Sequence, residues 1–317
     1  MAHPGDRAAD HSTGQSAEQN SDESRSGKHR SGYVAIIGRP NAGKSTLMNR
    51  LLGSKISITT PKPQTTRHQI IGIHSDEDSQ IIFLDTPGVL TPKYELQSAM
   101  MRFVERAKND ADIILLIVDA TDSRKPAQVV SLLESVTVPV FLLINKMDQA
   151  DRGRAEAIAR DIQQKLNIHQ TCYISALTGE GLPELLLAIK ELLPPGPPYY
   201  PKEQLSEQPM RFFAAELIRE QIFLLFHEEI PYSCTVEVTL YEEREEMDYI
   251  SADVIVNRKS QKGMLIGKGG RAIKELGTRS REVIEEFAGR KIFLDLHVKV
   301  REKWREKENW VRNLGYR

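Results

Sequence analysis

The hydrophobic residues in the first two thirds of the chain follow two alternating patterns. Short apolar runs are typical of buried strands, and the stretches between them repeat apolar residues every three or four positions, as on one face of a helix. The predicted strands are 33–38, 69–75, 80–85, 112–120, 138–145 and 171–176, and the predicted helices are 44–52, 94–109, 126–136, 152–167 and 182–193. The runs at 112–120 and 138–145 are apolar on both faces, which is typical of central strands in a covered parallel sheet. We therefore predict a doubly wound, mostly parallel α/β domain over residues 32–193.

The last third of the chain has a different order of elements. The run "PPGPPYYP" at 194–201 interrupts helices and strands alike, because proline fixes φ and lacks a backbone donor, and we predict a stiff linker over 194–209. Beyond it the pattern predicts helix 208–230, strands 234–242 and 248–257, helix 271–287 and strand 291–300. Every second residue of the last strand is aliphatic, so that this strand buries one face. We predict a separate α+β domain over residues 210–317.

Composition and charge limit the possible functions. The chain has 317 residues, with 40% apolar and 27% charged residues, which is ordinary for a soluble protein of about two domains. Its formal net charge is −1, so any nucleic-acid site must be a local basic patch. No apolar run reaches the ~18 residues that a membrane span needs, and Cys172 and Cys234 lie in strand-like runs where buried thiols are expected. Residues 1–31 are polar and acidic, which predicts a disordered tail rather than a transit peptide or secretion signal, and we expect a cytoplasmic protein.

A phosphate-binding loop is predicted at residues 38–46, "GRPNAGKST". Gly38, Gly43, Lys44 and Ser45 fit the pattern G-x-x-x-x-G-K-[ST], and the motif stands directly after a predicted strand and before a predicted helix. Its glycines allow the backbone to wrap the phosphates. Lys44 would then reach the β- and γ-phosphates, and the Ser45 hydroxyl would ligate Mg²⁺.

Two further segments complete the predicted phosphate and metal site. In "LDTPG" at 84–88, Asp85 ends a strand and is able to hold Mg²⁺ through water, while Gly88 offers a backbone N–H to the γ-phosphate. The polar, threonine-rich loop at 56–69 lies between the two motifs, and such a loop can be ordered by γ-phosphate and Mg²⁺. Thr66 is the predicted metal ligand in it, with Thr65 as the alternative, so the predicted metal ligands are Ser45, Thr66 and Asp85.

The choice of base is predicted from "NKMD" at 145–148. The Asp148 carboxylate can accept hydrogen bonds from N1–H and the N2 amino group of guanine, and adenine offers neither in that arrangement. Lys146 would lie over the base and Asn145 would tie loops together, while backbone N–H groups of "ISAL" at 174–177 reach guanine O6. The residues predicted to bind the nucleotide are Gly38, Arg39, Pro40, Asn41, Ala42, Gly43, Lys44, Ser45, Thr46, Asp85, Thr86, Pro87, Gly88, Asn145, Lys146, Asp148, Ser175, Ala176 and Leu177. Four motifs in order, each at a strand end on one edge of a sheet, predict a guanine-nucleotide site.

A glycine-rich stretch in the second domain, "GMLIGKGGRAIKELG" at 263–277, fits two phosphate-binding patterns. It matches the G-x-G-x-x-[GA] fingerprint of dinucleotide sites and the G-x-x-G loop that clamps an RNA backbone. A dinucleotide site needs a continuous apolar strand before the glycines, and only "MLI" stands there. Eight basic residues stand against one acid between 257 and 281, and this patch favours RNA. The residues predicted to bind RNA are Lys262, Ile266, Gly267, Lys268, Gly269, Gly270, Arg271 and Lys274.

Taken together, these motifs resemble those of a known family. "GRPNAGKST", "QTTR", "DTPG", "NKMD" and "SAL" resemble the five GTP-binding motifs of a translation-factor-related GTPase, and "KISITTPKPQTTRH" resembles the Era family in particular. The resemblance covers about residues 32–317, and Era proteins join a GTPase domain to a C-terminal, type II KH domain that binds RNA. It implies GTP, GDP and Mg²⁺ as ligands, the 3′ end of small-subunit ribosomal RNA as the bound RNA, and a role in assembly of the 30S subunit. It also implies peripheral association with the inner face of the plasma membrane, and it implies no obligate oligomer.

Slow hydrolysis is predicted from the residue after "DTPG". Signalling GTPases place a glutamine there to orient the attacking water, whereas this chain has Val89. The predicted catalytic residues are Lys44, Thr66, Gly88 and Asn41. Asn41 resembles an asparagine that ligates a monovalent cation in related potassium-activated GTPases, so K⁺ is a candidate cofactor. The alternative is that Asn41 only caps the loop by bonding its own backbone.

Other interpretations stay open on the sequence alone. The second domain could instead bind a protein partner or an anionic membrane surface, which the basic loop also suits, although glycines interrupt 257–281 unlike an interfacial helix. A non-switching metabolic enzyme would need a second catalytic pair, and we find none in the sequence. The aromatic side chains of 302–317 are able to dock on the second domain or on RNA.

Overall fold

The computed structural model describes residues 29–316, with the exception of Lys125. Within this part of the chain, six strands and five helices form the first domain. The strands are β1 (Arg30–Gly38), β2 (Ile70–Ser75), β3 (Ser79–Asp85), β4 (Ile113–Asp119), β5 (Val140–Asn145) and β6 (Gln170–Tyr173). The helices are α1 (Lys44–Leu52), α2 (Glu95–Asp110), α3 (Ala127–Leu133), α4 (Arg152–Gln163) and α5 (Leu182–Leu192). Every element predicted from the hydrophobic pattern of this domain is present.

The six strands form one sheet in the order β2-β3-β1-β4-β5-β6. All neighbours are parallel except β2 and β3, which pair antiparallel because a connection of only three residues joins them. Helices α1 and α5 pack on one face, and α2, α3 and α4 pack on the other. Since both faces are covered, β4 and β5 are buried almost along their whole length. The predicted mostly parallel, doubly wound sheet is confirmed.

The ends of the first domain differ in detail from the sequence prediction. Strand β1 begins at Arg30, two residues before the predicted boundary at 32, because it pairs with β3 from Ser79 onward. Most of the predicted tail lies outside the described residues. The predicted linker is held against the sheet: the backbone N–H of Ile73 donates to the Leu205 carbonyl at 2.9 Å, and Gln80 Oε1 accepts from two linker N–H groups. The linker is therefore a strap that follows β2 and β3.

The second domain contains a three-stranded sheet with helices on one face. Its elements are α6 (Met210–Leu225), α7 (Ile230–Ser233), β7 (Thr235–Glu242), β8 (Asp248–Val256), α8 (Lys259–Ile266), α9 (Arg271–Ala288), β9 (Ile292–Val300) and α10 (Glu308–Asn313). The sheet order is β7-β8-β9, antiparallel between β7 and β8 and parallel between β8 and β9. Helices α6 and α9 cover the apolar face around Ile218, Ile250 and Ile284. The predicted helix, two strands, helix and final strand are all present, and the short helix α8 before α9 gives the main elements the order helix–strand–strand–helix–helix–strand.

The predicted helix 208–230 is wrong at its C-terminal end. Helix α6 ends at Leu225, five residues before the last predicted position, and Phe226 is extended. The Lys62 ammonium, from the first domain, donates to the carbonyls of Phe223 and Phe226 at 2.5 and 2.6 Å. A lysine satisfies the last carbonyls of a helix and interacts favourably with its dipole. A contact between domains therefore stabilises this helix end.

The C-terminal segment docks on the protein, which resolves one open alternative. The Trp304 indole is fully buried and donates to the Ser233 carbonyl at 2.9 Å, and the buried Tyr316 hydroxyl lies 2.8 Å from Thr235 Oγ1. Both rings belong to a cluster that includes Leu96 and Met100 of α2. The segment thus connects the two domains.

None of the helices described between 29 and 316 combines the length and apolar character needed to cross a bilayer.

Loop 56–69 forms the other part of the contact between the domains. Ile58 is 3% exposed and belongs to the hydrophobic core of the second domain. The Arg67 guanidinium is also buried and donates to the carbonyls of Cys234 and Pro231 at 2.7 and 2.8 Å. The His68 ring stacks on Tyr316 with 4.3 Å between ring centroids, and burial lowers the pKa of His68 to about 4, so the ring is neutral at pH 7. The loop that borders the predicted nucleotide site is therefore anchored in the second domain.

Candidate nucleotide and RNA sites

The phosphate loop follows β1 and leads into α1, as predicted. Gly43 has φ +101°, and a Cβ atom there would lie 2.3 Å from Nδ2 of Asn145. That amide nitrogen donates to the Ala42 carbonyl at 2.8 Å, while the Asn145 side-chain oxygen accepts from Ala176 N–H at 2.9 Å. Only glycine fits this approach of the loop to β5. Asn145 thus ties together the phosphate loop and the loop after β6, as predicted.

Lys44 is buried at the centre of the phosphate loop. Its ammonium donates to the carbonyls of Arg39 and Gly38 at 2.9 and 3.3 Å. Burial lowers the pKa of Lys44 to about 8, and the nearby Asp85 carboxylate opposes this shift. A phosphate anion in the loop would favour the charged ammonium, because an opposite charge raises the pKa of a lysine. The side chain is therefore suited to hold phosphate.

The predicted metal ligands lie together beside Lys44. The Ser45 hydroxyl donates to Oδ2 of Asp85 at 2.6 Å and lies 2.8 Å from the Thr66 hydroxyl. The Thr65 hydroxyl bonds Thr60 and the Lys62 carbonyl instead, which favours Thr66 over its alternative. Burial raises the pKa of Asp85, and its Oδ1 has no hydrogen-bond partner among the described residues.

Two hydroxyls and one carboxylate are ligands of the kind that Mg²⁺ takes. Mg²⁺ takes oxygen ligands and is usually bound by one or two carboxylates together with substrate phosphates and waters. In the described part of the chain, no group of three or more histidine, cysteine or acidic side chains is arranged to hold a metal ion without such help. The three predicted ligands, Ser45, Thr66 and Asp85, form a set that would hold Mg²⁺ together with phosphate oxygens and waters.

The end of the cleft near the γ-phosphate position is closely packed. A Cβ atom on Gly88 would lie 2.5 Å from the Pro40 nitrogen, so "DTPG" contacts the phosphate loop directly. Val89 is 8% exposed, packs in the core of the first domain, and its N–H donates to the Gly38 carbonyl at 3.0 Å. Its side chain is thus unable to orient a water by hydrogen bonding. Asn41 has φ +64° and donates to the Pro61 carbonyl at 2.8 Å, a partner outside its own loop.

The base end carries the predicted guanine acceptor. Asp148 Oδ1 accepts from the Ser175 hydroxyl at 2.6 Å, and this bond lowers the pKa of Asp148, so the carboxylate is ionised at neutral pH. The Lys146 ammonium pairs with Asp119 at 2.6 Å, which holds its stem along the cleft. The N–H groups of Ser175 and Ala176 are already bonded, to the Glu180 carbonyl and to Asn145. The expected contact with guanine O6 therefore requires the backbone N–H of Leu177, or one of these two hydrogen bonds has to break.

The phosphate loop, Gly88, Lys146 and the threonines of loop 56–69 border one cleft of about 310 Å³. Of the other predicted site residues, Asp85, Asp148 and the segment 174–177 are not among the residues that line it. The structure therefore brings together motifs that are more than 100 residues apart in sequence. Sequence reasoning missed four residues that shape this region: Asn49, Ser57, Lys62 and Arg67. Asn49, Ser57 and Lys62 stand in none of the five motifs, and Arg67 ends "QTTR" but has no predicted role there, so only tertiary contacts identify these four residues.

The predicted RNA loop lies between α8 and α9. Gly269 and Gly270 have φ +63° and +77°, and a Cβ atom at either would meet nothing within 4 Å. The backbone is therefore open on this side. Lys262, Lys268 and Lys274 are exposed around it, and the N-terminus of α9 adds partial positive charge. The acidic turn between β7 and β8 lies at the other end of α9, where Arg290 donates to the Arg244 carbonyl. The exposed lysines would thus attract an RNA phosphate to the N-terminal end of this helix.

Comparison with protein families gives two matches. Residues 33–146 match a family of GTPases described as 50S ribosome-binding GTPase, and residues 229–305 match the KH domain family. GTPase Era of Carboxydothermus hydrogenoformans is 46% identical over 292 residues, which are 91% of this chain and 98% of that protein. GTPase Era of Staphylococcus haemolyticus is 42% identical, with the same coverage of both chains.

Two solved structures share the whole architecture. A variant of Era from Aquifex aeolicus bound to GDP·AlF₄⁻ superposes with a TM-score of 0.86 at 37% identity, over 90% of this chain and 99% of that one. An Era protein in complex with MgGDPNP and nucleotides 1506–1542 of 16S ribosomal RNA gives the same TM-score and identity over 91% of this chain. The order of motifs, the two joined domains and this similarity along nearly the whole chain agree, and the chain belongs to the Era family of GTPases.

Proposed function

We propose that the chain is a GTP-hydrolysing switch whose KH domain binds the 3′ end of small-subunit ribosomal RNA and acts in 30S assembly. One observation carries the link between the two activities. Thr66 lies in the predicted metal site, and its neighbour Arg67 is buried against carbonyls of the second domain. A movement of Thr66 at the γ-phosphate end of the cleft would therefore also move Arg67 and its contacts with the RNA-binding domain. The RNA is proposed from the related Era protein whose structure contains 16S nucleotides.

In this proposal the nucleotide lies along the cleft, and its phosphates and its base each contact protein groups that donate or accept the matching hydrogen bonds. Lys44 and the backbone of the phosphate loop hold the phosphates, and Asp148 accepts from guanine. Ser45, Thr66 and Asp85 would hold Mg²⁺, which supplies positive charge for the phosphate oxygens. The Gly88 N–H donates toward the γ-phosphate. Loop 56–69 shields this end of the site, since Ile58 and Thr66 border the cleft.

A cytoplasmic location and peripheral contact with the inner face of the plasma membrane belong to the same proposal. The exposed lysines of the RNA loop suit anionic phosphate groups in general, which includes lipid head groups. The open backbone at Gly269 and Gly270 favours RNA, because a G-x-x-G loop is suited to hold a nucleic-acid backbone and binding to a lipid surface does not require one.

Sequencing of crosslinked RNA tests the proposal directly. The protein is loaded with a non-hydrolysable GTP analogue, crosslinked in cell extract, and the attached RNA is sequenced. We expect enrichment of the 3′ end of small-subunit ribosomal RNA, and less of it when the protein is loaded with GDP. Crosslinks spread evenly over total RNA would contradict the proposed target, and an absence of crosslinks with efficient binding to anionic vesicles would support the membrane alternative.

Hydrolysis is expected to run several-fold faster in potassium than in sodium at equal ionic strength. Val89 is buried and no glutamine follows "DTPG", so the developing charge needs another source of stabilisation. The Asn41 amide nitrogen is bonded to the Pro61 carbonyl, which leaves its side-chain oxygen as a ligand for a cation beside the phosphates. Asn41→Ala should remove the difference between the salts and leave GTP affinity nearly intact. Equal wild-type rates in both salts, at saturating Mg²⁺ and GTP, would rule out the cation mechanism.

A further inference from the structure

Asp85 is held by a residue that belongs to none of the nucleotide-binding motifs. Ser57 is fully buried, and its hydroxyl donates to Oδ2 of Asp85 at 2.8 Å. The same oxygen accepts from the Ser45 hydroxyl at 2.6 Å. Oδ1 has no partner among the described residues. Two hydroxyls therefore converge on one carboxylate oxygen and leave the other one free.

This arrangement fixes the direction of the free oxygen. The last torsion of an aspartate side chain is soft, so its carboxylate plane turns easily unless hydrogen bonds hold one of its oxygens. With Oδ2 bonded by Ser45 and Ser57, Oδ1 stays in one place. A buried acceptor without a donor is unfavourable. A water molecule of Mg²⁺ would supply the missing donor.

Ser57 itself is fixed on both sides along the chain. The Asn49 side chain, on α1, accepts from the N–H groups of Ile56 and Ser57 at 3.0 and 2.8 Å and donates to the Ser57 carbonyl at 2.7 Å. The next residue, Ile58, is buried in the core of the second domain. The hydroxyl of Ser57 is thus held toward Asp85 by contacts within the protein itself.

A purely structural role is the competing explanation for a buried serine. Buried hydroxyls commonly donate to a nearby backbone carbonyl, as Thr86 does to the Ile36 carbonyl at 2.8 Å. Ser57 donates instead to the only carboxylate among the three predicted metal ligands. This choice of partner indicates a role toward the ion.

We propose that Ser57 is a positioning residue for Mg²⁺, which acts by orienting the Asp85 carboxylate. The proposal rests on the proposed function, because it assumes that Mg²⁺ binds with the nucleotide at Ser45, Thr66 and Asp85. Groups that orient metal ligands typically contribute 10- to 100-fold to metal affinity.

Ser57→Ala tests the proposal in the full-length protein. The Mg²⁺ concentration that half-maximally slows release of a fluorescent GDP should rise by roughly 10-fold or more. The affinity for GDP in excess EDTA should stay as in the wild type, because the phosphate loop is unchanged. Ser280→Ala is the matched control: Ser280 is equally buried, its hydroxyl has no partner in the described structure, and it lies in the second domain. This control should leave both quantities unchanged.

Two more variants separate the possible outcomes. Asn49→Ala keeps the hydroxyl but releases the Ser57 backbone, so it should shift the Mg²⁺ midpoint in the same direction. Asp85→Asn should shift it further. If Asp85→Asn shifts the midpoint and Ser57→Ala stays within twofold of wild type, the role of Ser57 is wrong. If neither Asp85→Asn nor the wild type responds to Mg²⁺, the proposed metal site itself is wrong.

A loss of GDP affinity in EDTA would also overturn the proposal, since it would make Ser57 a support of the loop. Thermal unfolding of each variant checks that it is folded. If Ser57→Ala does not fold, Ser57→Cys keeps a similar volume with a weaker donor and gives the same comparison.

Discussion

Replacing Asp148 with asparagine is expected to lower the affinity for GTP by at least ~3 kcal/mol, because charge-assisted hydrogen bonds to the base are lost and a donor of guanine is left unpaired. The Asp148 carboxylate is ionised and held by the Ser175 hydroxyl at 2.6 Å. The asparagine amide would present a donor to a donor of guanine. Xanthine carries an oxygen in place of the 2-amino group, so xanthosine triphosphate should become the preferred nucleotide. Isothermal titration with GTP and with xanthosine triphosphate measures this change of specificity.

Asp148→Ala is the control for this change of specificity. It removes the carboxylate and supplies no donor, so GTP affinity should fall without any gain for xanthosine triphosphate. Unchanged binding of GTP by Asp148→Asn would contradict the assignment of the base end. A gain for xanthosine triphosphate in both variants would indicate that the site simply tolerates any base.

Replacing Gly270 with aspartate is expected to weaken RNA binding by more than about 100-fold. At this position the backbone has φ +77° and faces open space, where an RNA phosphate should pass. A carboxylate about 4 Å from a phosphate near a protein surface costs about 3–4 kcal/mol. GTP binding and intrinsic hydrolysis should persist, because Gly270 lies in the RNA loop of the second domain and a Cβ atom added there meets nothing within 4 Å. A gel-shift assay with a small-subunit 3′-end RNA measures the loss.

Gly289→Asp provides a matched control. Gly289 ends the same helix, α9, with φ +66° and nothing within 4 Å of an added Cβ, so the strain and the charge are the same while the position is remote from the RNA loop. This variant should bind RNA within a few-fold of the wild type. Normal binding by Gly270→Asp would show that the clamp interpretation is wrong, and equal losses in both variants would indicate a general effect of strain or charge.

Much of the fold follows from local patterns in the sequence. The continuous apolar runs at β4 and β5 predict central strands because only a sheet covered on both faces buries such runs. The phosphate loop was predictable in detail, since its chemistry uses the backbone and needs glycines, a lysine and a hydroxyl at fixed spacing. The same holds for "DTPG" and "NKMD", which stand at strand ends where a parallel sheet collects ligand contacts.

Local patterns failed where a distant group decides the outcome. The end of α6 was predicted too late because its last carbonyls are bonded by Lys62, from a loop more than 150 residues earlier. The docking of 302–317 was left open because an aromatic, basic segment suits RNA and a protein surface equally. The structure decides it by burying Trp304 against α2 of the first domain.

Short runs of consecutive residues suffice to predict the chemistry of this protein, namely a phosphate loop, a guanine acceptor and a basic glycine loop. The connections between these parts depend on contacts that form only in the folded chain. Arg67 satisfies carbonyls of the second domain, and Ser57 satisfies one oxygen of Asp85. Buried polar groups must find partners wherever the fold brings them. A motif consists of neighbouring residues and can be recognised from their spacing. The partner of a buried arginine or carboxylate depends on which residues the fold brings close to it, and spacing along the chain does not show this.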